Sequence, residues 1–264
     1  MINSNNFSLD KKNIDTILVI DFGSQYTQLI ARRIRELNVF SEILPWDISA
    51  EKIKSLNPNG IILSGGPESV TELNTPRIPK TIFELDVPIL GICYGMQTLA
   101  EQFGGQVTSS NNKEFGHSKI VIESYSLLFD GFIPRSSVDV WMSHGDHVST
   151  LPNEFNLIAS TPSAPIAGME HANKPIYGLQ FHPEVTHTKQ GNMILENFTF
   201  KICKCTAKWK IENLIEQRIN EIKEKVGDQK VLLGLSGGVD SSVTAMLLDK
   251  SIGKNLICIF VDNG

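Results

Sequence analysis

The sequence predicts an α/β protein with a doubly wound, mostly parallel sheet, followed by the start of a second α/β unit. Short apolar runs alternate with segments of helical spacing over residues 16–104, the pattern of repeated strand–helix units. Between residues 105 and 177 the helical spacing weakens, and short apolar runs predict antiparallel strands attached to the first sheet. A new strand–turn–helix–strand pattern begins near residue 229. We therefore expect two domains, at residues 16–205 and 206–264.

The composition suits a folded protein of one or two domains. Of the 264 residues 41% are apolar, and 24 basic and 29 acidic side chains give a net charge of −5, so nothing indicates a nucleic-acid partner. No apolar run could span a bilayer, and residues 1–15 lack the apolar core of a signal peptide. The four cysteines, at positions 93, 203, 205 and 258, are too scattered for a disulfide framework. We expect a cytoplasmic protein that binds no membrane.

The elements can be assigned in chain order. Residues 16–21, 41–44 and 60–63 form apolar runs that predict strands, residues 25–37, 51–56 and 75–85 predict helices, and a further strand leads into Cys93. The antiparallel strands are expected at residues 118–123, 138–142, 157–160, 164–169 and 175–179, with a closing helix over 188–204. In the second domain we expect a helix at 211–226 and strands at 229–235 and 256–261. In such sheets the chemistry lies outside the carboxyl ends of the strands.

Cys93 lies between two glycines where a buried strand gives way to a helix. Gly91 and Gly95 form a G-x-C-x-G pattern with it, the thiol version of the nucleophile elbow. A sharp turn of this kind needs small neighbours, and a helix N-terminus favours thiolate, the nucleophilic form of cysteine. The alternative is that Cys93 is a small core residue, as most free cysteines are.

A glycine pair follows the preceding strand at the same predicted edge of the sheet. Backbone N–H groups of Gly66 and Tyr94 are candidates for an oxyanion hole, in which removal of one donor costs about 3–4 kcal/mol of transition-state stabilisation. By itself, Gly65-Gly66-Pro67 would be interpreted as a tight turn, and its place at the same sheet edge as Cys93 makes it a candidate oxyanion hole.

His182 follows another apolar run, and Glu184 lies two residues further on. A cysteine nucleophile needs a base, and the base needs an acid that orients it, so this His-x-Glu pair could supply both. A histidine in this position is otherwise more often structural. His144 and His147, within Trp141–His147, have metal-ligand spacing, but without a third ligand nearby we expect a loop with side-chain hydrogen bonds and no metal.

The combined motifs resemble those of the class I (triad) glutamine amidotransferases, which have a flavodoxin-like sheet. Residues 91–97 (GICYGMQ) and 181–184 (FHPE) are similar to the two signatures of that family, and the resemblance covers residues 16–205. The resemblance is narrowed to the branch of the family that supplies ammonia for making GMP by residues 21–26, 64–70 and 142–146.

The resemblance implies a role for each matched residue. Cys93 would attack the side-chain amide of glutamine, His182 would act as general base and acid, and Glu184 would orient His182. The N–H groups of Gly66 and Tyr94 would hold the oxyanion. The positions similar to those lining the family's glutamine pocket are Gln97, Ser143, Gly145 and Asp146.

The second domain opens with a glycine-rich turn between a strand and a helix. The string SGGVDSS comprises Ser236, Gly237, Gly238, Val239, Asp240, Ser241 and Ser242. Such a turn directs N–H groups and a helix dipole at a phosphate. The string is no Walker motif and resembles the pyrophosphate loop of the N-type ATP pyrophosphatases.

This second resemblance implies ATP and Mg²⁺ as co-substrate and ion, and a homodimer when the protein is full length. It also implies XMP as the nucleotide whose base is adenylated and then aminated to give GMP. Residues 206–264 are few for a domain of this kind, so we expect a truncated unit with uncovered apolar faces. We therefore expect glutaminase activity but no GMP formation from this chain.

Two other interpretations stay open at this stage. The same glutaminase could serve an ATP pyrophosphatase with a different acceptor. Alternatively, the first domain could be a non-catalytic regulatory module, although Cys93, His182 and Glu184 are all present.

Overall fold

The computed structural model describes residues 14–260, apart from the side chains of residues 110–113, 213 and 217. The chain divides into two compact units after Lys208, whereas the sequence suggested a division after residue 205. Val261, the last residue of the final predicted strand, lies outside the described residues. No helix in the described part of the chain is long and apolar enough to cross a membrane.

The first unit alternates strands and helices and then continues as strands. Its strands are β1 (Thr16–Asp21), β2 (Phe40–Pro45), β3 (Gly60–Leu63), β4 (Ile89–Ile92), β5 (Gln106–Ile122), β6 (Ser137–Thr150), β7 (Phe155–Ser160), β8 (Gly168–His171) and β9 (Ile176–Leu179). Its helices are α1 (Thr27–Glu36), α2 (Ala50–Leu56), α3 (Tyr94–Gln102) and α4 (Gly191–Glu196), the last continuing as a π-helix over Asn197–Ile202.

Within the described residues these strands form one nine-stranded sheet, in the order β2-β1-β3-β4-β9-β8-β7-β5-β6. The first five strands of that order run parallel, and β8, β7, β5 and β6 extend the sheet by antiparallel pairing. The predicted doubly wound sheet with added antiparallel strands is confirmed. One detail differs: β9, expected among the antiparallel strands, pairs antiparallel with β8 but parallel with β4.

Alternation along β1 explains why both faces of the sheet are covered. Ile17 and Val19 belong to one buried cluster with apolar residues of α1 and α4. Leu18 and Ile20 belong to a second cluster with apolar residues of α2 and α3. Because successive side chains of a strand point to opposite faces, the two clusters are the two layers of helix packed on one sheet.

The helix predicted over residues 75–85 is wrong. Only a 3₁₀ segment, Lys80–Glu84, forms there. Pro76 and Pro79 lack the N–H that a helix interior uses, and each disfavours helical backbone in the residue before it. The segment after β3 is therefore a long connection, and part of it forms a wall of the site described below.

The loop predicted at Trp141–His147 is also wrong, because these residues lie inside β6. They pair with β5, with Phe115 opposite Ser143 and Glu114 opposite His144. Met142 and His144 are buried while their neighbours are only partly covered, which is the alternation of a strand. The polar composition of this stretch hid that alternation in the sequence.

The second unit contains α5 (Ile211–Val226), β10 (Val231–Leu235), α6 (Val239–Ile252) and β11 (Leu256–Phe260). The two strands pair in parallel. The second unit exposes large apolar side chains, which confirms the prediction that its apolar faces are uncovered. These side chains include Leu232, Val239, Val243, Met246, Ile257, Ile259 and Phe260.

Candidate active site

Cys93 is the single residue between β4 and α3, and its backbone conformation is unusual. Its φ of 53° and ψ of −108° lie in a region that side-chain-bearing residues rarely adopt, so the elbow holds local strain. The strain sets Cys93 at the N-terminus of α3, with the side chain 5% exposed. The nucleophile-elbow geometry predicted from the G-x-C-x-G pattern is therefore present.

The two flanking glycines make the elbow possible by letting the strand and the helix approach closely. A Cβ added at Gly91 would lie 2.6 Å from the backbone carbonyl of Gly95. One added at Gly95 would lie 2.4 Å from the carbonyl oxygen of Leu63 on β3. Real Cβ atoms do not approach backbone so closely, so any larger residue would force the elbow apart.

His182 and Glu184 lie just beyond the end of β9, the strand that pairs with β4. His182 Nδ1 is 2.7 Å from Glu184 Oε1, and the side chains are 3% and 0% exposed. Cys93 and His182 line the same cavity. Neighbouring parallel strands thus bring Cys93 to the same cavity as the hydrogen-bonded pair of His182 and Glu184.

The surroundings of His182 favour a charged imidazole. Burial alone lowers the pKa of His182, but the Glu184 carboxylate and the nearby Cys93 raise it well above its ordinary value. His182 is therefore favoured in its charged form beside the Glu184 carboxylate, and an imidazolium can supply a proton to a leaving group.

The backbone of His182 is fixed at both ends by residues that sequence analysis did not single out. Its N–H donates to the carbonyl of Trp141 (3.0 Å), and its carbonyl accepts from Thr188 Oγ1 (2.6 Å). The N–H of Trp141 in turn donates to Thr188 Oγ1 (3.0 Å). Arg33 Nε donates to the carbonyl of Glu184 (3.0 Å). No local pattern marks Thr188, because its partner Trp141 is 47 residues away in the chain.

Gly66 and Tyr94 lie on either side of the elbow. A Cβ on Gly66 would be 2.9 Å from the carbonyl oxygen of Phe22 and 3.2 Å from Tyr94 Cγ, so glycine is required there. Within the described residues, neither the N–H of Gly66 nor that of Tyr94 donates to a protein acceptor. Two free N–H groups near a nucleophile are what an oxyanion hole provides.

A cavity of roughly 590 Å³ opens at Cys93. Seven of the predicted site residues line it, namely Gly66, Cys93, Gln97, Ser143, Gly145, Asp146 and His182. Further walls come from residues 23–26 after β1 and from the connection after β3. Tyr94 and Glu184 are not among the lining residues. The cavity has the size of a small-molecule site.

Hydrogen bonds tie the opposite wall of the cavity to α3. Gln97 Nε2 donates to the carbonyl of Asp146 (2.7 Å). The Asp146 carboxylate accepts from Ser69 Oγ (2.5 Å) and Ser109 Oγ (2.7 Å). Asp146 therefore joins β6, β5 and the connection after β3 around the cavity.

Two residues in contact with the triad went unassigned in the sequence. The Tyr26 ring packs edge-on against His182, with centroids 5.1 Å apart. Tyr26 is the last residue of the 21–26 motif, and its membership of that motif is the signal in the sequence that could have identified it as a site residue. Gln180 lies directly before Phe181 and contacts Cys93 Sγ (3.8 Å).

The His144 ring is buried beside the cavity, with Nε2 3.2 Å from Glu114 Oε2. Burial lowers the pKa of His144, and the opposing effect of Glu114 does not reverse this. Within residues 14–260 no three His, Cys, Asp or Glu side chains cluster as a metal site would require.

The predicted phosphate loop lies in the second unit, between β10 and α6. Gly237 has a φ of +78°, and Ser236 Oγ accepts from the N–H of Gly238 (3.3 Å) and lies 3.1 Å from Ser241 Oγ. Helix α6 starts at Val239 without a side-chain cap, which leaves its first N–H groups open to an anion.

Comparison with known proteins places this site in context. The family model for class-I glutamine amidotransferases matches residues 18–202, and the NAD synthase family model matches residues 210–261. A GMP synthase [glutamine-hydrolyzing] of Hamiltonella defensa is 55% identical over 261 residues, covering 96% of this chain and 50% of the relative. That of Citrobacter koseri is 55% identical over 254 residues, covering 94% and 48%.

The chain thus spans about half the length of the curated relatives it matches. The crystal structure of a Thermoplasma acidophilum protein named as a GMP synthase subunit superposes with a TM-score of 0.66 and 35% identity, covering 77% of this chain and 98% of that one. Together with the match over residues 18–202 and the elbow geometry, these similarities show that the chain belongs to the class-I glutamine amidotransferase family.

Proposed function

We propose that residues 16–205 hydrolyse glutamine to glutamate and ammonia, and that the complete protein uses this ammonia to make GMP. The observation that carries the proposal is that Cys93 and His182 line one cavity of small-molecule size, with His182 hydrogen-bonded to the buried Glu184. The GMP synthases of similar sequence support the acceptor.

The geometry suggests a role for each group in the first half-reaction. Cys93 Sγ attacks the side-chain amide carbon of glutamine, and the N–H groups of Gly66 and Tyr94 stabilise the resulting oxyanion. His182 passes its proton to the leaving nitrogen, so ammonia departs and a glutamyl thioester stays on Cys93. His182 then takes a proton from water, which attacks the thioester and releases glutamate.

The wall of the cavity would hold the rest of the glutamine molecule. Gln97, Ser143, Gly145 and Asp146 all line it, and the Gln97–Asp146 hydrogen bond fixes two of them relative to each other. A preorganised wall positions the amide against Sγ without a further ordering cost.

The second unit supports binding of a nucleotide phosphate. The open N–H groups at the start of α6 and the serine hydroxyls of residues 236–242 are donors suited to an anion, so the loop fits the pyrophosphate part of ATP. When bound, Mg²⁺ would neutralise phosphate charge during adenylation of XMP, with release of pyrophosphate. Ammonia would then displace AMP to give GMP.

One observation favours an acceptor of ammonia other than XMP, namely that residues 210–261 match the NAD synthase family model. The GMP synthases match over 94–96% of the chain, including both units, and this broader likeness favours XMP. Supplying XMP, ATP and glutamine to the full-length protein and measuring GMP decides between them.

Cys93→Ala tests the glutaminase assignment. We expect release of glutamate from glutamine to vanish, while ammonia-dependent GMP formation by the full-length protein persists. Cys258→Ala, which removes an exposed cysteine, is the control and should leave both activities unchanged. Equal loss of both activities in Cys93→Ala would mean that Cys93 is structural. An unreactive Cys93 towards a glutamine-mimicking electrophile would favour the regulatory module instead.

The remaining proposals rest on the family resemblance and the composition. The four cysteines are free, which suits a cytoplasmic location. We also propose that the full-length protein is a homodimer, a state that its sedimentation would test directly.

A further inference from the structure

A buried amide, that of Gln180, contacts the sulfur of Cys93. Gln180 is 0% exposed and lies one residue beyond β9. Its Nε2 is 3.8 Å from Cys93 Sγ, within the longer range of hydrogen bonds to sulfur. The family signature begins at Phe181, so no role for Gln180 follows from the motif.

The hydrogen-bond partners of Gln97 and Gln180 determine which end of the Gln180 amide faces the sulfur. The carbonyl of Asp146 can only accept, so the nitrogen of Gln97 must face it (2.7 Å). The same Gln97 nitrogen contacts Gln180 Oε1 (3.4 Å). The reverse orientation of Gln180 would place two NH₂ groups face to face and a carbonyl oxygen against the sulfur. The NH₂ group of Gln180 therefore faces Cys93.

This contact acts on one protonation state of the sulfur. An amide NH₂ group donates but cannot accept, so it stabilises a thiolate more than a thiol. The carbonyl of Ser143, 3.5 Å from Sγ, has the opposite preference, because it accepts from the protonated thiol. Gln180 thus opposes Ser143 at the same sulfur atom.

We propose that Gln180 is a further catalytic residue, whose amide holds the Cys93 thiolate ready for attack. When Cys93 ionises, His182 takes its proton on Nε2, the ring nitrogen not engaged by Glu184, and Gln180 exchanges no proton. Gln97 and the carbonyl of Asp146 keep the amide turned towards the sulfur. This inference rests on the proposed glutaminase function, but its test does not require glutamine turnover.

The test measures alkylation of Cys93 by iodoacetamide as a function of pH, followed by mass spectrometry of the modified peptide. Gln180→Met keeps similar volume and removes the donor. We expect the pH at half-maximal alkylation rate to rise by about one unit, and kcat for glutamine at pH 7 to fall about tenfold. Gln180→Glu replaces the donor by a carboxylate oxygen and should shift the half-maximal pH further.

Gln102→Met is the matched control. Its half-buried amide, at the other end of α3, donates to the carbonyl of Ile78 (2.9 Å) and is not among the partners of Cys93. Its alkylation profile should match that of the wild type. A Gln180→Met variant that shows no cooperative unfolding is not properly folded, and Gln180→Glu is then used for the test instead. Glu preserves the volume of the side chain and keeps an acceptor for Gln97.

Alkylation profiles of both Gln180 variants that overlay the wild-type curve would overturn the proposal, even if glutamine turnover fell. A wild-type chain that hydrolyses no glutamine would refute the proposed function instead, and the alkylation profiles would still decide the role of Gln180.

Discussion

Replacing Glu184 by Gln tests the electrostatic core of the site. The change keeps the shape of the side chain and removes the negative charge 2.7 Å from His182 Nδ1. Burial lowers the pKa of His182, and Glu184 is the largest of the contributors that raise it. We therefore expect the pKa of His182 to fall in this variant and the imidazolium to be less available as a proton donor to the leaving amide.

The size of the effect follows from the kind of bond that is lost. A hydrogen bond to a charged group contributes about 1.5–3 kcal/mol, so a loss near 2 kcal/mol lowers kcat by about 30-fold. Glu184 is not among the residues that line the cavity, so KM for glutamine should stay unchanged.

Stability should respond to pH with a definite sign. The pKa of His182 is raised in the folded state, so its contribution is fully present below the unfolded pKa of about 6.5 and is lost as pH rises through the folded value. The free energy of unfolding of the wild type should therefore exceed that of Glu184→Gln most near pH 6, and the difference should shrink at alkaline pH.

The assays are glutamate release and urea denaturation, each at a series of pH values. Glu170→Gln is the control, since this half-buried carboxyl on β8 accepts from Ser126 Oγ (2.6 Å) and lies outside the cavity. It should keep wild-type kinetics. A Glu184→Gln variant with wild-type kcat, or one whose destabilisation grows at alkaline pH, would refute this account of the triad.

Two further substitutions test the supports of the site. Thr188→Val removes the hydroxyl that joins His182 to Trp141, so kcat should fall about tenfold with little change in KM, and Thr188→Ser should restore it. Loss of activity in the Ser variant as well would contradict the role of the hydroxyl. Gly95→Ala forces a Cβ to 2.4 Å from the Leu63 carbonyl oxygen and should cost about 2–3 kcal/mol, lowering Tm by roughly 5–10 °C. Gly234→Ala is the control, because a Cβ added at Gly234 would have no other atom within 4 Å. Equal melting temperatures of the two variants would disprove the close approach of Gly95 to Leu63.

Much of the fold was predictable because its signals are local. The parallel strands are short apolar runs, and the elbow has small residues on both sides of Cys93. The errors arose where local signals mislead. Apolar spacing over residues 75–85 suggested a helix, but Pro76 and Pro79 interrupt it. The polar stretch Trp141–His147 suggested a loop, but pairing with β5 makes it a strand.

The sequence by itself determined the chemical groups and the order in which they occur along the chain. Cys93, His182 and Glu184 are recognisable because each stands in a short motif at the end of an apolar run. Only the tertiary structure decided what surrounds them. Gln180 meets Cys93 across 87 residues and Thr188 meets Trp141 across 47, through hydrogen bonds that need folded, neighbouring strands. Such contacts depend on geometry between distant segments, and no local pattern of residues encodes them.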